Sequence, residues 1–415
     1  MSDATRTVAV NVSDVEFVKE LYPRLREDDA AIERYRAALD RLPPIVVARG
    51  RVLVDGFHRW QAYRREGVDE IQAVDLGDLT DTEILRESVK RNATHGHQLS
   101  GKDKAKMADL LWRGGTRDSA DLCDLLSITE STLDTYLRDA KRDEKAEQQA
   151  KAWDLWLDCW TQEAIAAALD VPRSTVEGWL TKSGSDPVFV NAPESRQHFD
   201  VWQFPPARDN SAGSTSYFGV LPPQVVENLL WFWTEPGDIV FDPFAGSGTT
   251  IDVAKRMGRR VFASDRKPST PTLPIHEWDI TDGWPDDAPA KADLILLDPP
   301  YWQQAAGKYS EDAADLGNME RDGFSDAWAA IVKTCTDHLA DGGRIAYIIS
   351  PTQLEDGSVV DHATEMLAPF RDAGMAVDRR IIVPYSTQQA TGQQVEWARD
   401  KKRMLKLYRD LVVLR

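Results

Sequence analysis

The chain has 415 residues, a net charge of −18 and 28% charged residues, and at ~100–200 residues per domain it should form two to four units. No run approaches the ~20 apolar residues of a membrane span, and the first residues lack the apolar core of a signal peptide. Cys123, Cys159 and Cys335 are scattered, without zinc-site spacing or a disulfide framework; a soluble cytoplasmic protein is expected, whose acidic balance opposes a nucleic-acid partner unless a local basic groove exists.

In chain order, residues 9–80 read as a small α/β unit. Helical spacing over Glu27 to Leu39 ends at Pro43-Pro44. Strands are predicted at Ile45 to Val47 and Arg51 to Val54, then a helix from Trp60 to Glu66 and a strand from Ile71 to Leu76. From Asp81 to Thr181 the pattern is helical, with two helix-turn-helix candidates. The first, Ser119 to Leu137, presents Glu130 and Asp134 outward and reads as structural, because carboxylates repel phosphate. The second pairs Thr161 to Leu169 with Arg173 to Leu180 and leaves Arg173, Ser174, Thr175 and Lys182 for DNA. Polar breaks follow, at Ser183 to Pro187 and Asn210 to Ser216. The expected domains are therefore 1–98 (small α/β), 99–183 (helical), 184–216 (linker) and 217–415.

Beyond Val225 short apolar strands alternate with amphipathic helices, the signature of a parallel sheet covered on both faces. Strands are expected at Ile239 to Phe241, Arg260 to Ala263, Leu294 to Leu297, Arg344 to Ile349, Ile381 to Val383 and Leu411 to Leu414. Ligands of such sheets sit beyond the carboxyl ends of the strands. Asp242-Pro243-Phe244-Ala245-Gly246-Ser247-Gly248-Thr249 lies at that edge, where Gly246 and Gly248 let backbone approach a ligand. No lysine follows Gly248, so this is not a phosphate loop, and Asp242 suits a cationic ligand end such as the ammonium of a methionine moiety. Asp265 ends the next strand, placed for ribose hydroxyls, and Asp279 is placed for an adenine amino group; either aspartate could instead cap a helix.

Asp298-Pro299-Pro300-Tyr301 ends the apolar run Leu294 to Leu297. An exocyclic base amine is a poor nucleophile, because its lone pair is delocalised into the ring. The Asp298 carboxylate and the Pro299 carbonyl can accept its N–H bonds and stabilise the positive charge that develops on methyl transfer. Pro299 and Pro300 stiffen the loop, and Tyr301 offers a face for an extruded base.

The two motifs together resemble the DNA amino-methyltransferases, the N6-adenine and N4-cytosine enzymes, over roughly residues 217–415. The resemblance implies a Rossmann-like sheet, S-adenosylmethionine as cofactor and DNA as substrate. It implies a cofactor site of Phe218, Asp242, Phe244, Gly246, Ser247, Gly248, Thr249, Asp265 and Asp279, and a catalytic segment Asp298 to Tyr301. Asp298, where cytosine enzymes more often have serine, favours adenine N6 over cytosine N4. Ring-carbon methylation needs a thiolate that the catalytic loop lacks. A restriction-modification role and a prokaryotic or phage source fit this resemblance. The N-terminal part resembles the ParB/sulfiredoxin-like domain followed by helix-turn-helix units, through Gly56-Phe57-His58-Arg59 and Glu87-Ser88-Val89-Lys90-Arg91, both incomplete matches. Phe57 stands in place of a reactive cysteine, and a scaffold for DNA or subunit contact, as in a homodimer, is preferred to cytidine triphosphate binding through Arg59 and Arg91. The rival of another class is a partition-like or regulatory DNA-binding protein with an inactive methylase domain.

Overall fold

The computed structural model describes residues 6–23, 28–94, 99–181, 189–190, 192–204, 221–301, 312, 314–354, 358–384 and 391–415. Contacts divide the chain into two units, Met1–Glu147 and Gln148–Arg415.

In the first unit, β1 (Arg6–Asn11), β2 (Ile45–Ala48), β3 (Val52–Asp55) and β4 (Glu70–Asp75) form a sheet of order β1-β4-β2-β3. The β2–β4 pair is parallel and the other pairs are antiparallel. All four β2 residues are buried because both faces are covered: Val47 joins Phe57 and Trp60 on one side, Val46 joins Ile84 on the other. Helix α1 (Asp29–Arg36) packs on α2 (Phe57–Glu66). Gly56 enters α2 at φ +98°, a left-handed conformation suited to glycine. Then come α3 (Asp81–Thr94), α4 (Gly101–Arg113), α5 (Ser119–Leu126) and the first part of α6 (Glu130–Leu157), a helix that continues past Glu147. Leu85, Met107, Leu111, Leu122 and Leu133 unite these helices in one core.

In the second unit, α7 (Gln162–Leu169) and α8 (Arg173–Thr181) form a hairpin. Asp170 turns it at φ +53°, and Ile165, Val176 and Trp179 are buried within it. The chain continues through α9 (Pro223–Trp233), β5 (Ile239–Asp242), α10 (Thr249–Arg256), β6 (Arg260–Asp265), β7 (Ile275–Glu277), β8 (Ala292–Leu297), α11 (Arg321–Asp337) and β9 (Leu339–Ile349). It ends with the small hairpin β10 (Thr352–Gln353) and β11 (Val359–Val360), α12 (His362–Glu365), α13 (Ala368–Asp372), β12 (Val377–Pro384), α14 (Gly392–Asp400) and β13 (Tyr408–Leu414).

Seven strands make a sheet of order β12-β13-β9-β8-β5-β6-β7. The α/β fold expected from the alternating pattern is present, with one difference: β13 runs antiparallel to both its neighbours, so the sheet is mixed. The return through α14 is what inserts this strand between β12 and β9. Side chains alternate across the sheet, as period two requires. Val240, Val261, Leu294, Ala346 and Val413 meet α9 and α10, whereas Phe241, Phe262, Ile295, Tyr347 and Val412 meet α11 and α13. Trp328 of α11 is 2% exposed, packs edge-on to Tyr347 and Phe370, and donates its indole N–H to the Met366 carbonyl at 3.1 Å. Trp328→Ala should cost ~3–5 kcal/mol, the usual price of a large aromatic cavity, read as a lower urea midpoint at unchanged slope.

Candidate active site

Strand order reverses between β5 and β8: the chain goes from β5 to β6 and β7 on one side, then crosses to β8 and β9 on the other. That switch point is where a crevice opens in a doubly wound sheet. A cavity of about 740 Å³ lies there. Among its lining residues are Asp242, Phe244, Gly246, Ser247, Thr249, Asp265, Asp279, Asp298 and Pro300, residues far apart in sequence that successive strand ends bring to one place. Gly248, Pro299 and Tyr301 adjoin this lining in sequence. Phe218 and the following residues through 220 lie outside the described residues, as do Lys182, Trp302 and residues 385–390.

Asp242 is 4% exposed at the end of β5. Its Oδ1 accepts the Phe244 N–H at 3.0 Å, and the Thr250 side chain also bonds to it. Burial pushes its carboxyl up to about 7 against those hydrogen bonds, and the nearby charges of Asp298 and Asp265 push the same way. Asp298 directly follows β8 and is raised to about 6 by burial, while Arg409 and the Tyr301 side chain hold it down. Two carboxyls with raised pKa line one cavity, an arrangement that can receive a cationic or N–H-bearing ligand.

Asp265 accepts two backbone N–H groups, Gly246 at Oδ2 and Lys267 at Oδ1, both at 2.8 Å. It thereby ties the glycine loop to β6, and each oxygen keeps a lone pair for a further donor. Asp279 caps a single turn: Oδ1 accepts the Thr281 N–H at 2.9 Å and the Thr281 hydroxyl at 2.7 Å, and Oδ2 meets Arg266 at 3.2 Å. The capping alternative for Asp279 is thus what the structure contains, although the residue still lines the cavity. Gly248 begins α10 at φ +86°, and a Cβ there would stand 2.2 Å from Leu273 Cδ1. Gly248→Ala should cost ~1–2 kcal/mol through the left-handed backbone alone, measured as a lower melting temperature together with weaker cofactor binding.

Tyr301 is half-buried: its ring packs against the α11 core and its side chain bonds Asp298. Among the expected DNA contacts, Arg173 and Ser174 are exposed and Thr175 is half-buried. The Arg173 guanidinium is 2.6 Å from Glu163 and 4.0 Å from Glu177, so its charge is already balanced. No cysteine lines the cavity, and burial raises all three thiols, Cys159 to about 12. Among the described residues, no cluster of three metal-ligating side chains occurs and no helix is long and apolar enough to cross a membrane.

Sequence reasoning passed over Arg266 and Arg409. Arg266 lines the cavity between Asp279 and Asp312, and its Nη1 is buried with no hydrogen-bond partner among the described residues. Arg409, 7% exposed near the start of β13, acts on Asp298 electrostatically. An arginine leading directly into the apolar run Leu411 to Leu414 was the available signal.

Residues 134–270 match the N6_N4 family of DNA methylases. The matched stretch contains the Asp242 to Gly248 loop and Asp265 and stops before Asp298. Over 73 residues the chain is 37% identical to the type II methyltransferase M.BglII of Bacillus subtilis, 18% of this chain and 20% of that protein. Over 70 residues it is 33% identical to the orphan methyltransferase M.BamHII of Bacillus amyloliquefaciens, 16% of this chain and 26% of that one. The chain therefore spans about a fifth to a quarter of these curated relatives. Among solved structures, TrmN of Thermus thermophilus aligns at 20% identity and TM-score 0.29, covering 48% of this chain and 49% of that one. The chromosome-partitioning protein ParB of Caulobacter crescentus aligns at 14% identity and TM-score 0.25, covering 43% and 87%.

Proposed function

We propose that this chain is an S-adenosylmethionine-dependent DNA methyltransferase that modifies an exocyclic base amine, with adenine N6 as the target. The observation that carries this reading is the Asp298 carboxyl at the β8 end, opening into the same cavity as Asp242 and Asp265. The cavity suits the cofactor: its size falls in the ~300–1,000 Å³ range of small-molecule sites, its carboxyls suit an ammonium and hydroxyls, and Arg266 Nη1 is a buried donor awaiting an acceptor. Asp242 would hold the cationic end, Asp265 the hydroxyls, and the glycine loop would allow backbone approach. Bound S-adenosylmethionine would supply an electrophilic methyl carbon.

The chain's own residues handle the amine. Asp298 and the Pro299 carbonyl accept its N–H groups, which favours a tetrahedral nitrogen and offsets the positive charge that grows there. As the N–C bond forms, one N–H proton must leave, and a carboxyl near pH 6 can take it. Arg409 keeps Asp298 ionised at neutral pH, so transfer should rise with pH through about 6. In the first unit, Arg59 is held by Asp55 at 3.0 Å and Arg91 by Glu87 at 3.2 Å, which favours a scaffold over a nucleotide site. The test is transfer of labelled methyl groups to DNA, followed by digestion. Recovery of N6-methyl-2′-deoxyadenosine is expected; N4-methyl-2′-deoxycytidine alone would replace adenine as the target, and no transfer would remove the reading.

A further inference from the structure

The chain carries an excess of 18 negative charges, yet residues 399–409 hold six basic residues, Arg399, Lys401, Lys402, Arg403, Lys406 and Arg409, against one carboxylate, Asp400. We infer that this segment, joining α14 to β13, is the surface that grips the phosphate backbone of duplex DNA and delivers it to Asp298. This rests on the reading of the cavity as a DNA-modifying site.

Four observations carry the inference. First, Arg399, Lys401 and Lys402 are exposed, and none has an ion pair among the described residues. At Arg173, Lys255 and Arg256, by contrast, carboxylates stand beside the cations. Second, Lys402 sits at φ +49°, where the chain leaves α14. A glycine would adopt that conformation at least cost, and a lysine there gives up ~1 kcal/mol of backbone energy for a charge. Third, α14 buries only Ala398 among its residues, leaving Trp397 45% and Val395 42% exposed. Arg403 lies over the Trp397 ring at 5.8 Å. A helix with so little beneath it has its outer faces available to a partner.

Fourth, the run has an inner end. Lys406 Nζ donates to the Pro351 carbonyl at 2.7 Å, and burial lowers its ammonium to about 8. Arg409 then enters the sheet opposite Val383 and acts on Asp298. The β13 and β8 strands both border β9, so Arg409 stands about two strand spacings, ~10 Å, from the β8 line. Cations thus run from open surface to the catalytic carboxyl. The regular negative charge of a duplex complements such a row, and a local basic surface on an acidic protein concentrates binding there.

The experiment measures binding of a fluorescent 30-base-pair duplex to the full chain across a salt series. Replacing Arg399, Lys401 and Lys402 with glutamine should weaken binding at least tenfold at 0.1 M salt. It should lower the slope of log affinity against log salt by ~0.9 per lost contact, about 2.7 in all, with S-adenosylmethionine affinity unchanged. Lys402→Gly, which relieves the left-handed backbone, should lower the slope by ~0.9 while the melting temperature holds or rises. Parental affinity and slope in the triple variant would overturn the inference. Methyl transfer by the parent with an unaffected triple variant sinks the surface alone. A duplex grip lost in the variant, from a parent that transfers no methyl group, keeps the surface and sinks the methyltransferase reading.

Discussion

Asp298→Ala should lose methyl transfer by ~10²–10³-fold, the scale of removing one preorganised partner of a developing charge, with S-adenosylmethionine affinity within a few-fold of the parent. The carboxyl lies at the end of β8, and Pro299 and Pro300 fix the loop that follows, so an alanine there removes an acceptor with little else disturbed. Asp298→Asn is the sharper companion. Its amide oxygen still accepts one N–H but cannot take a proton, so activity should fall less than in the alanine variant. The rise with pH near 6 should also disappear. Single-turnover transfer from pH 5 to 8 measures both. An alanine variant as fast as the parent would show that the amine is activated elsewhere.

Asp242→Asn should weaken S-adenosylmethionine binding by ~10- to 100-fold, the value of a hydrogen bond to a charged group, while making the cofactor-free protein more stable above neutral pH. The sign follows from linkage. Burial raises the folded carboxyl to about 7, above the ~3.9 of an unfolded aspartate. Between those values the folded chain binds more protons, so stability falls as pH rises through ~4 to 7 and stays reduced beyond. At 1.36 kcal/mol per pH unit the full effect is bounded near ~4 kcal/mol. The asparagine variant lacks this penalty and should melt a few degrees higher than the parent at pH 8, with the gap closing toward pH 4. Calorimetric titration of the parent should show tighter cofactor binding as pH rises past about 7, and none of that trend in the variant.

The parts of this site that the sequence revealed are those held by neighbours in the chain. Asp242 to Thr249 is a strand end, a turn and a helix start in succession, and Asp298 to Tyr301 follows an unbroken apolar strand, so local rules reach both. Arg409 is different: its charge acts on Asp298 because β13 enters the sheet two strands from β8, a choice made by packing of the whole sheet. β7, with Ile275, His276 and Glu277, is too short and polar to be read as a strand. At Asp279 the local signal is present, since an aspartate two residues before a threonine is a usual turn cap. Arg173 marks another boundary of sequence reading. Its place at the start of α8 was foreseeable, whereas its pairing with Glu163 depends on how α7 folds back on α8.

The reversed direction of β13 also decides where this protein can be handled. The strand begins at Tyr408, at the end of the sheet where β9 finishes, and reaches Leu414, ~20 Å away at ~3.4 Å per residue. The backbone at Arg415 therefore points away from the face that would meet a duplex. A fluorophore on a cysteine substituted at Arg415 would leave the crevice unobstructed, whereas a strand running parallel there would have put the same label at its mouth.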